Sequence, residues 1–220
     1  MKVVELFAGS RCVGRAAESL GHEVFSVDWQ PFDSINWVGD IADMTTESVP
    51  FIPDFVWASP DCTTYTIAAI SHHRNGAEPK SDYAKKCDAV NQHFIALIDQ
   101  WLTVNPDMVF FIENPRGMMR KMPWMQRFRR ETVWYCQYGD DRAKPTDIWT
   151  NSKSWQPRPM CHNGNPNCHH ESAPRGSRTG TQGRKGSYDR SRIPEQLCVE
   201  VLESVSRPII QLPQFTLDLI

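Results

Sequence analysis

No stretch of this 220-residue chain approaches the ~18 consecutive apolar residues of a membrane-spanning helix, so no bilayer-crossing segment is expected. The opening residues, Met1-Lys2-Val3-Val4-Glu5-Leu6, carry an early acid and run straight into a glycine turn, which is not the form of a secretory signal. Internal repeats are lacking, so solenoid and propeller architectures are set aside. A paired disulfide framework is lacking too. The seven cysteines are odd in number and scattered, which points to reduced thiols in a cytoplasmic protein, with room for a metal site. Net charge is nearly absent at −2, which by itself argues against a polyanionic partner. That average conceals a polarity. Residues 1–115 hold 7 Lys and Arg against 16 Asp and Glu, whereas residues 116–220 hold 17 against 10. A basic rear half of this kind is an electrostatic footprint for phosphate. What is present in quantity is apolar material, 40% of residues including eight tryptophans, enough for one domain with a small appended lobe.

The first elements also lack the phosphate-cradling GxGxxG turn, since the chain reads Gly9-Ser10-Arg11-Cys12-Val13-Gly14. Around that turn stands a β-rich stretch from Lys2 to Phe7 and a helix with Val13, Ala16, Ala17 and Leu20 on one face, closed by Gly21. A second strand, Glu23 to Asp28, follows. Asp28 lies 19 residues after Gly9, the arrangement in which a carboxylate meets the hydroxyls of an adenosine ribose. Without the pyrophosphate turn, a cofactor with adenosine but no pyrophosphate suits the site. Gly39-Asp40-Ile41 adds a carboxylate placed for an adenine amino group.

Asp54 to Ala58 predicts a short buried strand that stops at Ser59-Pro60, because proline fixes its own φ and disfavours helix before it. Cys62 stands just past that turn, where open α/β sheets collect their reacting groups. Residues 63–82 are polar and turn-rich and are expected to form a binding loop or lid with little structure of its own. An amphipathic helix is predicted over Tyr83 to Val104, with Val90, Phe94, Leu97, Ile98, Trp101 and Leu102 on its core side. The buried strand Met108 to Ile112 then ends at Glu113-Asn114-Pro115. If the two strands are parallel neighbours, Glu113 and Cys62 share one crevice. A thiol and a carboxylate there suit covalent attack on a ring carbon with proton support.

Strands are predicted over Thr132–Tyr138 and Asp147–Asn151. Residues 152–192 then turn rich in Pro, Gly, Ser, Asn and Arg, with few aliphatic residues. Such a segment can fold around zinc. Cys161, Cys168 and either His169 or His170 supply three ligands, with His162 or Cys136 as a fourth. A last helix opens at Ile193-Pro194-Glu195 and carries Leu197, Val201, Leu202 and Val205.

Taken in order, these motifs resemble the DNA cytosine-C5 methyltransferases, in a compact form such as bacteriophages and other prokaryotic sources carry. Glu5-Leu6-Phe7-Ala8-Gly9 is similar to the family's first cofactor motif, Asp28 and Gly39-Asp40-Ile41 to its second and third. Ser59-Pro60-Asp61-Cys62 resembles its Pro-Cys motif and Glu113-Asn114-Pro115 its Glu-Asn-Val motif. Tyr138-Gly139 through Thr146 stands where the family has Tyr-Gly and Gln-x-Arg-x-Arg. The chain departs at Asp61, Pro115 and Arg11, and the triplet falls on Arg142, Lys144 and Thr146.

The resemblance implies an α/β, Rossmann-like class I methyltransferase sheet, mostly parallel, over residues 1–151. It also implies a small irregular basic target-recognition lobe over 152–192 and a helix and tail returning to the core over 193–220. It implies S-adenosylmethionine held by Phe7, Ala8, Gly9, Asp28, Trp29, Asp40, Ile41 and Ser59, and catalysis by Cys62, Glu113 and Lys144. Arg116, Arg142, Arg175, Arg178 and Arg184 are expected to contact double-stranded DNA, with Cys161, Cys168, His169 and His170 as the zinc candidates. The protein is expected to be a monomer in the cytoplasm of a bacterial or phage-infected cell. RNA as substrate, and a DNA-binding relative with weak catalysis, stay open beside this reading.

Overall fold

The computed structural model describes residues 1–173 and 186–206. Its sheet is built on β1 (Lys2–Leu6), β2 (Glu23–Asp28), β3 (Trp37–Val38) and β4 (Phe55–Ala58). A small hairpin of β5 (Arg74–Asn75) and β6 (Glu78–Pro79) stands apart from it. Strands β7 (Val109–Pro115), β8 (Arg129–Trp134) and β9 (Pro145–Thr150) complete the main sheet. The seven strands run β3-β2-β1-β4-β7-β9-β8. The first five are mutually parallel; toward one edge β9 pairs antiparallel to β7, and β8 pairs antiparallel to β9, so that β9 alone runs against the others. The mostly parallel Rossmann-like sheet expected from the sequence is therefore present.

Helices cover both faces. On one side lies α3 (Asp82–Val104); on the other lie α1 (Cys12–Ser19) and α5 (Glu195–Ser206). The middle strand shows why β4 reads as an unbroken apolar run: both of its faces are buried. Val56 and Ala58 join Phe94, Leu97, Ile98 and Trp101 on the α3 side. Phe55 and Trp57 join Ala17, Leu197 and Val201 on the other. Ser81 caps α3 by accepting from the Ala84 N–H at 3.1 Å. Among the described residues no helix is long and apolar enough to cross a membrane.

Two expectations are corrected here. The strand expected over Thr132–Tyr138 runs instead over Arg129–Trp134, and Tyr135–Tyr138 turns into a 3₁₀ helix. Residues 63–82 are not a structureless loop: a single helical turn α2 (Ile70–His73) leads into the β5–β6 hairpin. The physical reason is Arg74. Its buried guanidinium donates to the Thr64 carbonyl at 2.9 Å, to the Ala77 carbonyl at 3.1 Å and to Asp88 on α3.

Trp155 sits fully buried in the α1–α5 core, edge-on to Phe111 with ring centroids 5.5 Å apart. The start of the segment after β9 is thus anchored to the same core as the sheet. Ser187–Ser191 (α4) precedes α5.

Candidate active site

The carboxyl ends of β1, β2, β4 and β7 open onto one rim, and the chemistry collects there. At the end of β1 the backbone enters the left-handed region at Phe7 (φ 57), Gly9 (φ 48) and Arg11 (φ 51). Arg11, standing where a glycine would be unstrained, is held by burial of its guanidinium against Glu18 (2.5 Å) and Ser26 Oγ (2.9 Å). Beneath the turn, Glu5 accepts the Val13 N–H at 3.0 Å, and burial raises its carboxyl to about 7 against those hydrogen bonds and Arg11.

Asp28 binds its own scaffold first. Its carboxylate oxygens accept the Gly9 N–H at 2.8 Å and the Gln30 N–H at 2.9 Å, tying β1's turn to the end of β2. Each oxygen keeps a second lone pair. Beside it Trp29 is 70% exposed, an indole face turned to solvent. Phe7 packs edge-on against Phe94 at 5.4 Å. Asp40 lies 2.8 Å from Lys86 Nζ and accepts the Ala42 N–H at 3.1 Å; Lys86 chiefly, then that amide, hold its carboxyl below the usual range. Ile41 is buried behind it. Ala8 donates its N–H to the Val27 carbonyl, and the Ser59 hydroxyl accepts from Trp57 Nε1 at 2.7 Å. An open aromatic face flanked by two carboxylates is a donor and acceptor set suited to a nucleoside's base and hydroxyls. It is unsuited to phosphates, which the two acids would repel.

Across the rim, β4 and β7 are parallel neighbours with Ala58 opposite Ile112, so the next residues on both strands arrive together. Asn114 Nδ2 donates to the Pro60 carbonyl at 2.9 Å and locks the two strand ends to each other. Its Oδ1 is buried without a partner. Gly117 passes so close to the Cys62–Tyr65 turn that a Cβ there would lie 2.4 Å from the Tyr65 carbonyl oxygen; only glycine fits.

Glu113 is buried, and its Oε1 accepts the Tyr135 hydroxyl at 2.9 Å with Lys144 Nζ at 3.8 Å. Lys144 is also buried, its ammonium 4.7 Å from the centre of the Tyr135 ring. Burial pushes the Cys62 thiol up to about 11; Lys144 pulls it down, while Glu113 and Asp61 push it further up. All three charged groups therefore act on the sulfur. Asp61, besides that repulsion, accepts the Thr63 N–H at 2.7 Å and the Tyr83 hydroxyl, and so orients the turn that carries Cys62 against α3.

A pH profile follows. Below its pKa a thiol's reactive thiolate fraction grows about tenfold per pH unit. Iodoacetamide labelling of Cys62, read by peptide mapping, is expected to climb steadily between about pH 7 and 9 on that basis. Lys144→Met is expected to slow it at every pH by removing the favourable charge. A plateau already reached near pH 8 would contradict the burial-dominated thiol.

The nucleic-acid expectations divide. Arg116 is exposed, its guanidinium 5.5 Å from the Trp134 ring centre. Arg142 is not a surface contact. It is fully buried, bound to Asp140 at 2.5 Å and donating to the Arg190 and Arg192 carbonyls at 3.1 and 3.0 Å. Burial works to raise the Asp140 carboxyl, yet Arg142 overrides it and holds it down at about 2. Arg175, Arg178 and Arg184 lie outside the described residues. Several other cations of the basic half are committed to structure: Arg120 pairs with Asp147, Arg127 with Asp99 and Arg158 with Glu200. Thr146 is buried on β9 opposite Pro115.

A second cluster joins Cys136, Cys161, Cys168 and His170, whose ligand atoms all lie within 4.8 Å of one another. His169 does not take part. It is exposed and its Nε2 faces the Asp140 carbonyl oxygen at 3.0 Å, whereas His170 is buried in the cluster. His162 is exposed. The sequence reading missed Tyr135 outright and held Cys136 only as one of two possible fourth ligands. Neither stands in a motif that would single it out.

No protein-family model and no curated protein matches the chain. Among solved structures it is similar to a variant of Spodoptera frugiperda DNMT2, at 18% identity and a TM-score of 0.46 over 78% of this chain and 57% of that one. It is also similar to S. pombe Dnmt2 methyltransferase, at 13% identity and 0.44 over 73% and 52%. The chain spans little more than half the length of either, and the likeness is too distant to transfer an activity.

Proposed function

We propose that this chain is an S-adenosylmethionine-dependent cytosine-C5 methyltransferase that acts on a flipped-out base of double-stranded DNA. The observation that carries the reading is the convergence of Cys62, Glu113 and Lys144 at the ends of two adjacent parallel strands. That convergence lies on the same sheet rim as the exposed Trp29 and the carboxylates of Asp28 and Asp40. The motif resemblance supports the same assignment. Phe7, Trp29, Asp28 and Asp40 would hold the cofactor's adenosine, with the Phe7–Gly9 turn, Ile41 and Ser59 at its border. When bound, S-adenosylmethionine supplies an electrophilic methyl group.

The chain's own residues prepare the acceptor. Cytosine C5 is a poor nucleophile, so Cys62 adds as thiolate to C6 while the ring takes a proton at N3, and the Glu113 carboxylate accepts a hydrogen bond from that N3–H and stabilises the protonated ring. C5 becomes enamine-like and takes up the methyl group. Loss of the C5 proton and of the N3 proton to water then expels Cys62 as the thiolate and restores the aromatic ring. The Tyr135 hydroxyl and Lys144 keep the Glu113 carboxylate aimed at the base throughout. The attack cannot occur within a stacked duplex, so the base leaves it at a cost of a few kcal/mol. Arg116 and the basic segment around residues 175–184 would grip the phosphates. In this reading the Cys136–Cys161–Cys168–His170 cluster adds a zinc ion in a structural role, and the protein works as a monomer.

One observation favours a second reading, a DNA-binding relative with little turnover: the Cys62 thiol at about 11. A single assay separates the two. Protein incubated with methyl-tritiated S-adenosylmethionine and either duplex DNA or tRNA is expected to place label in 5-methyldeoxycytidine. Label in RNA alone makes the substrate RNA. Label in adenine, or none in either polymer, defeats the proposal.

A further inference from the structure

We propose that the Cys136–Cys161–Cys168–His170 cluster is a zinc clamp that holds the Glu113 side of the active site in place. The donor set comes first. Three thiolates and one imidazole at the corners of a small buried polyhedron are a structural zinc set, closed and tetrahedral. Zn–S bonds of about 2.3 Å put neighbouring sulfurs roughly 3.8 Å apart, so little contraction from the present spacing is needed. Cys161 Sγ and His170 Nδ1 already stand 3.9 Å apart.

The outer shell fits as well. Asn165 Nδ2 donates to Cys161 Sγ at 3.4 Å, and Gln137 Nε2 faces both Cys136 Sγ and Cys168 Sγ at 3.8 Å. Amide donors aimed at sulfur favour thiolates and orient them toward a metal. Trp134 and Ala143 supply the apolar wall. His170 turns its Nδ1 to the sulfurs, and its Nε2 is buried with no hydrogen-bond partner among the described residues.

What the clamp joins gives it a role. Cys161, Cys168 and His170 come from the segment after β9, a stretch with few aliphatic residues to hold it. Cys136 comes from the 3₁₀ turn whose first residue, Tyr135, donates to Glu113. The same stretches meet again in a parallel β-bridge that pairs Arg142 with Glu171, in which the Glu171 N–H donates to the Asp141 carbonyl at 2.9 Å. Tyr135 stands one residue before the first tie, and Lys144 stands two residues after the second. Metal binding therefore fixes Tyr135 at one end and Lys144 at the other, the two partners of Glu113. They are positioning residues in this role, and the clamp acts through them.

The test reads metal and local order, neither of which depends on turnover, so its failure is distinct from failure of the methyltransferase reading. Protein expressed with added zinc is expected to carry about one ion per chain, the count of a four-ligand site. Cys161→Ser and His170→Ala lose it; His169→Ala and His162→Ala retain it. Because a ligand variant can fail to fold, cobalt reconstitution of the unaltered chain gives a second reading. Its expected spectrum has the intense d–d bands and thiolate charge-transfer band of a tetrahedral site made by three sulfurs and one nitrogen. Removing the metal with a chelator is expected to speed amide exchange over Tyr135–Lys144 and residues 161–171 at least tenfold, while β1 and β4 exchange as before. Metal-free protein, a Cys161–Cys168 disulfide, or octahedral cobalt overturns the site. Zinc whose removal leaves exchange over Tyr135–Lys144 unchanged overturns the clamp.

Discussion

Cys62→Ser is expected to abolish methyl transfer, by roughly four orders of magnitude or more, the scale on which loss of a covalent nucleophile is felt. Serine keeps the shape of the turn, so the hydrogen bonds from Thr63 N–H and Tyr83 to Asp61 survive, as does the Asn114 tie to Pro60. What disappears is the nucleophile, a group soft enough to add to the ring carbon and ionisable enough to do so as its anion. A buried thiol at about 11 is costly to ionise, but a serine hydroxyl in the same place is far costlier. Cofactor affinity, measured by calorimetry, is expected to stay at the parent value, because Trp29, Asp28 and Asp40 belong to other strands. DNA carrying 5-fluorocytosine supplies the positive control. Fluorine cannot leave as a proton does, so the parent protein should be trapped as a covalent adduct stable to denaturing electrophoresis, and the variant should not. Normal turnover by Cys62→Ser would end the covalent mechanism.

The placement of that thiol is legible in the sequence. β4 runs over its predicted residues because a strand buried on both faces is an unbroken apolar run, and a proline turn marks its end. Cys62 and Glu113 meet because parallel strands separated by one crossover helix present the same end to the same rim. Arg142 is misread from sequence because composition counts charges without their partners. Its acid lies two residues earlier, but the carbonyls that complete its burial, Arg190 and Arg192, are 48 and 50 residues away. Tyr135 is hidden for a related reason. The β-branched and aromatic run from Thr132 to Tyr138 reads as one continuing strand, whereas the chain coils at Tyr135 and swings its hydroxyl onto Glu113. The choice between His169 and His170 is one of facing, and adjacent residues of one type carry no pattern that decides it.

Arg74 is the clearest case of a residue that polar composition conceals, and its loss should cost the most stability. Arg74→Ala is expected to destabilise the fold by about 3–5 kcal/mol, the range for breaking a buried ion pair by removing one partner. The arginine side chain is 0% exposed and that of Asp88 only 11%. Two bonds join them, at 2.6 and 3.0 Å, and Arg74 also donates to the Thr64 hydroxyl at 3.0 Å and stacks 4.2 Å above the Tyr65 ring. Alanine would leave Asp88 charged and buried with only the Tyr65 hydroxyl for company, at 2.6 Å. The damage would not stay local. Thr64 and Tyr65 follow Cys62 directly in the turn, and the Tyr65 carbonyl accepts the Met118 N–H at 2.7 Å beyond the end of β7. Loosening Arg74 thus loosens both walls of the crevice, and activity is expected to fall along with stability. Urea unfolding of Arg74→Ala measures the first effect, and the double variant Arg74→Met with Asp88→Leu checks its cause. Replacing both charges by apolar side chains removes the stranded carboxylate, so the double variant should be more stable than Arg74→Ala alone. If Arg74→Ala unfolds within about 0.5 kcal/mol of the parent, the range of an ordinary surface substitution, the network is solvated and does not hold the turn.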